Sequence, residues 1–211
     1  GGVIYAHREF ATMFSSRACP WRCTYCHNSY GKVFRERSAE NVLEEIDLLV
    51  NEYGVKELVF MDDIFNLRPE RAKGIARGII ERGYDLKLTF PNGFRGDVLD
   101  EDLVLLLKEA GMYRCMVAVE SASPRIQKVM KKRLKIDKVR KIVDFIADQG
   151  ILVHGAFMLG FPSETEEEME ATIKWASSSS FHTAAFFRVI PFKGTELFEE
   201  VEHAGYQLPT D

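Results

Sequence analysis

The sequence predicts an α/β fold built on a parallel sheet, and three observations carry that prediction. Apolar periodicity alternates between strand-like and helix-like segments along all 211 residues, in units of roughly 25–35 residues, the size of a βα repeat. The segments "ELVFM", "CMVAV" and "AAFFRVI" read as near-continuous apolar runs, as parallel strands buried on both faces do. Helical patterns open at Ser, Thr or Pro and close at Gly, the punctuation of short connections. Six strands alternating with helices imply right-handed crossovers. The pattern alone does not separate a barrel from a doubly wound sheet.

Taken in order, Ala11 to Ser15 reads as a short strand leading into a cysteine-rich loop. Ser38 caps a helix whose Val42, Leu43, Ile46, Leu49, Val50 and Tyr53 form one apolar stripe. Val55 to Met61 is a buried strand. A helix from Pro69 to Arg82 follows and ends at Gly83. Leu86 to Phe90 is the third strand, broken by Pro91-Asn92-Gly93, and the next helix carries Val98, Leu99, Leu103, Leu106 and Leu107 up to Gly111. Tyr113 to Val119 is the fourth strand. Ser123-Pro124 starts a short helix, and a second presents Val139, Ile142, Val143 and Ile146 before Gly150. Ile151 to Leu159 is the fifth strand, Thr165-x-x-Glu168 a capping box, Ala184 to Ile190 the sixth strand, and Thr195 to Ala204 the last helix.

Composition narrows the class. The chain is 46% hydrophobic and 28% charged, ordinary for a globular domain with its own core. A net charge of −4 argues against nucleic acid as a partner. The longest strongly apolar stretch, Ile151 to Phe161, is broken by His154 and too short to span a bilayer. Arg8 and Glu9 interrupt any apolar run near the start, so the expected location is the cytoplasm. The start at Gly1-Gly2 and the polar end Pro209-Thr210-Asp211 suggest one domain, residues 1–211, cut from a longer chain.

The residues just after the strands form the active face in either α/β architecture, and here they are polar. Strand one leads to Cys19, Cys23 and Cys26, strand two to Asp62-Asp63, and strand three to Asn92 and Arg95. Strand four ends at Glu120-Ser121, strand five at Gly160-Phe161-Pro162 and strand six at Pro191. Helix capping accounts for Ser121, Ser123 or Asp62, but Cys, Arg and Glu are not cap residues. Three of four cysteines crowd into eight positions, which in a reducing compartment argues for metal or redox chemistry. Cys23-x-x-Cys26-His27 matches a c-type haem attachment pattern, and Cys23-x-x-Cys26 a redox dithiol. Cys19, Cys23, Cys26 and His27 would close a structural zinc site. The same three thiolates could instead hold a cubane iron–sulfur cluster with one iron left open.

Cys19-x-x-x-Cys23-x-Tyr25-Cys26 resembles the cluster loop of radical S-adenosylmethionine (SAM) enzymes. "SRACPWRCTYC", "VFMDDIF", "VAVESAS", "GAFMLGFPSET" and "PFKGTELFE" extend the resemblance over most of residues 11–205. It implies a partial (β/α)6, TIM-like barrel with a [4Fe–4S] cluster on Cys19, Cys23 and Cys26 and SAM on the open iron. Reductive cleavage of SAM would then give methionine and a 5′-deoxyadenosyl radical that abstracts a hydrogen from a small-molecule substrate. Electrons would come from a donor such as a flavodoxin or ferredoxin.

By matching motifs, Tyr25 would lie near adenine, and Asp62 or Asp63 would accept from the methionine ammonium. Glu120 would take the ribose hydroxyls, Arg95 the SAM carboxylate, and Gly160 with Phe161 would let backbone approach adenine. Arg35 and Arg37 are either surface charges or contacts to SAM or substrate, and His27 is expected not to bind metal. Cys115 has the opposite strand parity to Glu120 and is expected in the core. His154 shares a face with Gly160, as a core histidine or a pocket residue. The blocks most resemble members with a cobalamin-binding domain, which often transfer methyl groups, so cobalamin bound by a domain outside this chain is implied as a cofactor. An iron–sulfur electron-transfer protein and a zinc-stapled binding module are the alternatives.

Overall fold

Each successive strand is added to the same edge of one growing sheet. The computed structural model describes residues 5–26 and 29–205. In it β1 (Phe10–Met13) is followed by a short antiparallel ribbon of β2 (Ser16–Arg17) and β3 (Arg35–Glu36). The chain then alternates through α1 (Ala39–Asn51), β4 (Glu57–Phe60), α2 (Pro69–Glu81), β5 (Lys87–Phe94), α3 (Glu101–Glu109) and β6 (Met112–Glu120). It continues with α4 (Pro124–Val129), α5 (Ile136–Asp148), β7 (Leu152–Leu159), α6 (Glu166–Ser177), β8 (Thr183–Arg188) and α7 (Glu196–His203). The sheet order is β1-β4-β5-β6-β7-β8 with every pair parallel. A doubly wound sheet reverses direction at a switch point, and this one does not. The fold is therefore the incomplete parallel barrel.

Strand parity divides the sheet into a helix-facing and an inner face. Leu58, Phe60, Leu88, Phe90, Cys115, Val117, Val153 and Phe157 pack into one core. They meet Val42 and Ile46 of α1, Ile75 and Ile79 of α2, Leu103 and Leu107 of α3, and Val143 and Ile146 of α5. Thr89 and Arg114 have the opposite parity and bond to each other, Arg114 Nε donating to Thr89 Oγ1 (3.3 Å). Under the C-terminal end of the sheet, Phe60, Phe65, Phe90 and Phe94 interlock, with Phe60 stacked on Phe90 at 5.0 Å between centroids and Phe65 4.8 Å from Phe90. Each such ring pair adds about 0.5–1.5 kcal/mol beyond its burial. Gly78 shows how closely α1 and α2 approach: a Cβ there would stand 2.2 Å from Leu43 Cδ1.

The caps expected at Ser38, Ser123 and Thr195 form, as does the Thr165–Glu168 capping box. Several details differ from the sequence reading. The run "AAFFRVI", read as a strand buried on both faces, forms β8, exposed at all six positions because it is paired along one side only. Val98 and Leu99 precede α3, which opens at Glu101. The third strand does not break at Pro91 but runs on to Phe94, absorbing Pro91-Asn92-Gly93 in a register shift, because a bulge tolerates a missing N–H. Tyr53 is 71% exposed and lies beyond α1 instead of on its buried stripe. The first strand, expected over Ala11 to Ser15, is found at Phe10–Met13, because Phe14 and Ser15 already lead into the ribbon that opens at Ser16.

Candidate functional site

The three cysteines sit on a loop closed at its base and fastened at its middle. The β2–β3 ribbon ties its ends, and Arg37 N–H donates to the Ser15 carbonyl (3.0 Å). Thr24 is held from both sides: its N–H donates to the Met130 carbonyl at the end of α4 (3.0 Å), and its carbonyl accepts from Leu197 N–H in α7 (2.9 Å). Lys32 Nζ donates to the Trp21 carbonyl (2.8 Å), and Arg95 stacks over the Trp21 ring at 4.4 Å. The loop is thus positioned by elements more than 100 residues downstream.

Cys19, Cys23 and Cys26 line one cavity of ≈ 200 Å³ together with Tyr25, Asp63, Asn92, Arg95, Glu120 and Lys132. Glu120 is buried and accepts from Lys132 Nζ (2.9 Å) and Tyr25 OH (3.2 Å). Burial, followed by the Glu120 charge, raises the Tyr25 phenol well above its ordinary range, so it stays a neutral donor. Asp63 accepts from Ala18 N–H (2.8 Å), one residue before the first cysteine.

Backbone strain gathers at this mouth. The non-glycine residues with left-handed φ are Ala18, Glu120, Lys131, Arg133 and Ser163. Ala18 precedes Cys19, and Glu120 is itself a lining residue. Lys131 and Arg133 bracket Lys132, which their turn drives into the cavity. Each such residue costs about 1–3 kcal/mol and persists where surrounding structure over-determines it.

The structure resolves several choices the sequence left open. Of the adjacent aspartates only Asp63 lines the cavity. Asp62 is buried and committed elsewhere, accepting from Ser15 N–H (3.1 Å), Ser15 OH (2.7 Å) and Ser16 OH. Its oxygens tie the end of β1 to the ribbon, so that of the two expected aspartates it is Asp63 that faces the cavity. Arg95 lines the wall, but its charge is engaged by Asp97 (2.9 Å) and its second nitrogen donates to the Lys132 carbonyl (2.8 Å). Gly160 and Phe161 do not line the cavity. Their N–H groups donate to Glu164 Oε2 (2.7 and 3.0 Å), and Phe161 supports the Tyr25 ring edge-on at 5.7 Å. Gly160 has φ +86, with open space where a Cβ would stand.

Cys115 is buried in the core, and burial pushes its thiol up to about 12. His154 Nδ1 bonds Thr183 Oγ1 away from the cavity. Arg35 and Arg37 are on and beside the ribbon, also away from it. His27 lies outside the described residues. Lys132 is the lining residue that sequence reasoning missed. It stands in the run Met130-Lys-Lys-Arg-Leu134, where alternation with buried Met130 and Leu134 was the available signal.

The donor set fits an iron–sulfur cluster. Burial raises the Cys19 and Cys26 thiols, and neighbouring sulfurs raise them further, while Lys32 opposes the shift at both. Three soft sulfur donors on one short loop, two of them with raised thiols, suit a body that brings its own positive charge.

Comparison with known proteins agrees with this geometry. Residues 13–176 match the family model of the Radical SAM superfamily. An uncharacterized methyltransferase of Pyrococcus horikoshii is 38% identical over 196 residues, covering 90% of this chain and 41% of the relative. The cytidylyl-2-hydroxyethylphosphonate methyltransferase of Streptomyces wedmorensis is 31% identical over 208 residues, covering 94% and 39%. The chain thus spans about two fifths of the length of these curated relatives. Among solved structures, the radical SAM methyltransferase TsrM from Kitasatospora setae, with tryptophan and a SAM analogue bound, superposes with a TM-score of 0.83 at 20% identity, over 95% of this chain and 40% of that one. The cobalamin-dependent enzyme OxsB, with aqua-cobalamin and SAM bound, gives 0.76 at 15% identity, over 92% and 35%. At such identities these two likenesses speak for the fold alone.

Proposed function

Because the chain belongs to the radical SAM superfamily, we propose that it is the core of a cytoplasmic enzyme that holds a [4Fe–4S] cluster on Cys19, Cys23 and Cys26 and cleaves SAM in the adjoining cavity. One observation carries the reading: the three thiols share a cavity with Asp63 and Glu120, at the C-terminal ends of β4 and β6, and with Lys132 from the turn after α4. Held by Cys19, Cys23 and Cys26, a cluster would supply the single electron needed to break a C–S bond of SAM, giving methionine and a 5′-deoxyadenosyl radical for hydrogen abstraction. An electron carrier needs no amino-acid-sized cavity beside its cluster, and a zinc staple needs no buried Lys–Glu pair.

The protein's share is recognition and positioning. Asp63, steadied by the Ala18 N–H, is the acceptor for the methionine ammonium, a cation matched to a carboxylate. Lys132, which holds Glu120 at the cavity wall (2.9 Å), is the cation assigned to the methionine carboxylate; Arg95 beside it is bound to Asp97 and to the Lys132 carbonyl. Glu120 meets the ribose hydroxyls through the oxygen its two partners leave, and Tyr25 borders the adenine side.

Methyl transfer to a small molecule is the reaction class, supported by the methyltransferase names of the relatives. Cobalamin, present in the TsrM and OxsB structures, would be held by a part of the protein outside residues 1–211. A low-potential electron carrier is the partner. Anaerobic reconstitution of the full-length protein, reduction and measurement of 5′-deoxyadenosine test the reading. About four irons per chain with product formation is the expected result. A complete, reducible cluster without SAM binding or cleavage would overturn it.

A further inference from the structure

Charge in this protein is segregated. The chain as a whole carries −4, yet the segment from Ser16 to Arg37, which holds all three cluster cysteines, has five Arg or Lys and a single Glu. Arg17 and Arg35 are direct cross-strand partners in the ribbon. Like charges placed directly opposite destabilise a strand pair, and both side chains are exposed. Neither has a carboxylate within ion-pair distance among the described residues. Arg17 lies over the Phe14 ring (5.6 Å), and Arg35 donates only to the carbonyls of Val33 and Tyr30 (both 3.2 Å). The acidic residues nearby are already taken: Glu36 pairs with Arg71 and Glu45 with Arg37. Arg22, between Cys19 and Cys23, is likewise exposed and unpaired among the described residues.

This basic surface has an apolar centre. Val33 is 72% exposed and Tyr30 41%. Tyr30 packs edge-on against Phe14 at 6.1 Å, so Arg17, Phe14, Tyr30 and Arg35 run on continuously. A shallow cavity of ≈ 520 Å³ beside the patch, separate from the cysteine cavity, is lined by Phe14, Arg17, Arg35 and Arg37 and by Glu36 and Glu45, the two carboxylates already paired with Arg71 and Arg37. Apolar residues inside a charged, exposed rim are the anatomy of a protein interface. A net-negative protein that concentrates unpaired arginines on one loop selects an acidic partner by steering it there.

We propose that this patch, built on Arg17, Tyr30, Val33 and Arg35, is the docking surface for an acidic one-electron carrier protein. The inference rests on the cluster assignment above, because the loop that carries the patch is the loop that carries the cysteines. In the docked pair the carrier is oxidised by one electron and the cluster is reduced by one, with no atom exchanged. Docking on the loop's outer face leaves the cavity free for SAM. The contact is small and transient, as electron-transfer encounters are.

The test uses reconstituted full-length protein, with flavodoxin in its hydroquinone form as the acidic carrier and reduced methyl viologen as a cationic control. The variants are R17E/R35E and the milder R17Q/R35Q, each checked for iron content. At low ionic strength the charge reversal is expected to slow cluster reduction by flavodoxin about tenfold or more and to weaken flavodoxin binding in parallel. The neutral variant falls between. Salt should slow the parent and leave the reversed variant nearly flat. Reduction by viologen should hold or rise. If flavodoxin rates and binding stay within about twofold of the parent, the patch is idle or covered by other segments, and the proposal is overturned. If even viologen reduces no cluster in the parent, the cluster assignment falls and takes this proposal with it. Slowing by both reductants alike would mean a damaged loop, and would also overturn it.

Discussion

β4 is buried at all four of its positions, whereas β8, at the far edge of the same sheet, is exposed at all six. β4 has strands on both sides, helices packed behind it and the cysteine loop anchored at its end through Asp62 and Asp63. β8 is paired only along one side, with Phe186 and Phe187 facing outward at 39% and 56% exposure. The helix after it, α7, turns away to a satellite cluster with Ile126, Met130, Phe161 and Val189, from where it pins Thr24. Rigidity is thus concentrated under the cysteines and the cavity, where groups must be held to a fraction of an ångström. The open edge contributes little to holding them.

The sharpest way to break this comparison is to remove a proposed ligand. Cys19→Ala, Cys23→Ala or Cys26→Ala should each abolish SAM cleavage, measured as 5′-deoxyadenosine. Urea denaturation of the metal-free chain should shift by no more than about 0.5 kcal/mol, because none of the three is in the core. Next in size is Phe90→Ala, which opens the aromatic stack beneath the cavity. It should cost about 3–5 kcal/mol in the same assay.

Lys132→Met should raise the Kd for SAM roughly 10–100-fold by calorimetry, the loss of one charge-assisted bond, with the cluster intact. Glu168→Gln probes the junction between α4 and α6, where Glu168 is held to about 2 by hydrogen bonds from Arg125 and then Ser123. A carboxylate lowered in the folded state contributes its stability above the unfolded pKa of about 4.3 and loses it as pH falls toward 2. The variant should therefore melt about 1–3 °C lower at pH 7 and match the parent near pH 2. Phe187→Ser, on the exposed strand, should change stability by less than about 0.5 kcal/mol. A loss as large as that of Phe90→Ala would erase the contrast between the two edges.

Much of this was legible in the chain because local rules and the global fold agree. Ser38, Thr165 and Thr195 announce helices by side-chain oxygens that cap N–H groups three residues on. Cys115 could be assigned to the core from its strand parity relative to Glu120, and its burial follows. The ladder shift at Phe90–Phe94 was not legible, since it depends on how β5 meets β6 and not on the alternation within either strand. Parity also stopped short at Asp62 and Asp63, because alternation says that neighbours differ but not which one the cavity receives.

The sequence by itself determined the alternation of strands and helices, the caps and the clustering of three cysteines before a barrel-sized set of strands, because each depends on neighbours within a few residues. The tertiary structure decided the rest. Asp63 rather than Asp62 lines the cavity because Ser15 and Ser16 claim the other, 47 and 46 residues away in sequence. Lys132 enters the site because two left-handed residues turn it inward beside Glu120. The open barrel, in place of a doubly wound sheet, follows from strand order. These are contacts between distant segments, fixed only when the strands take their places beside one another.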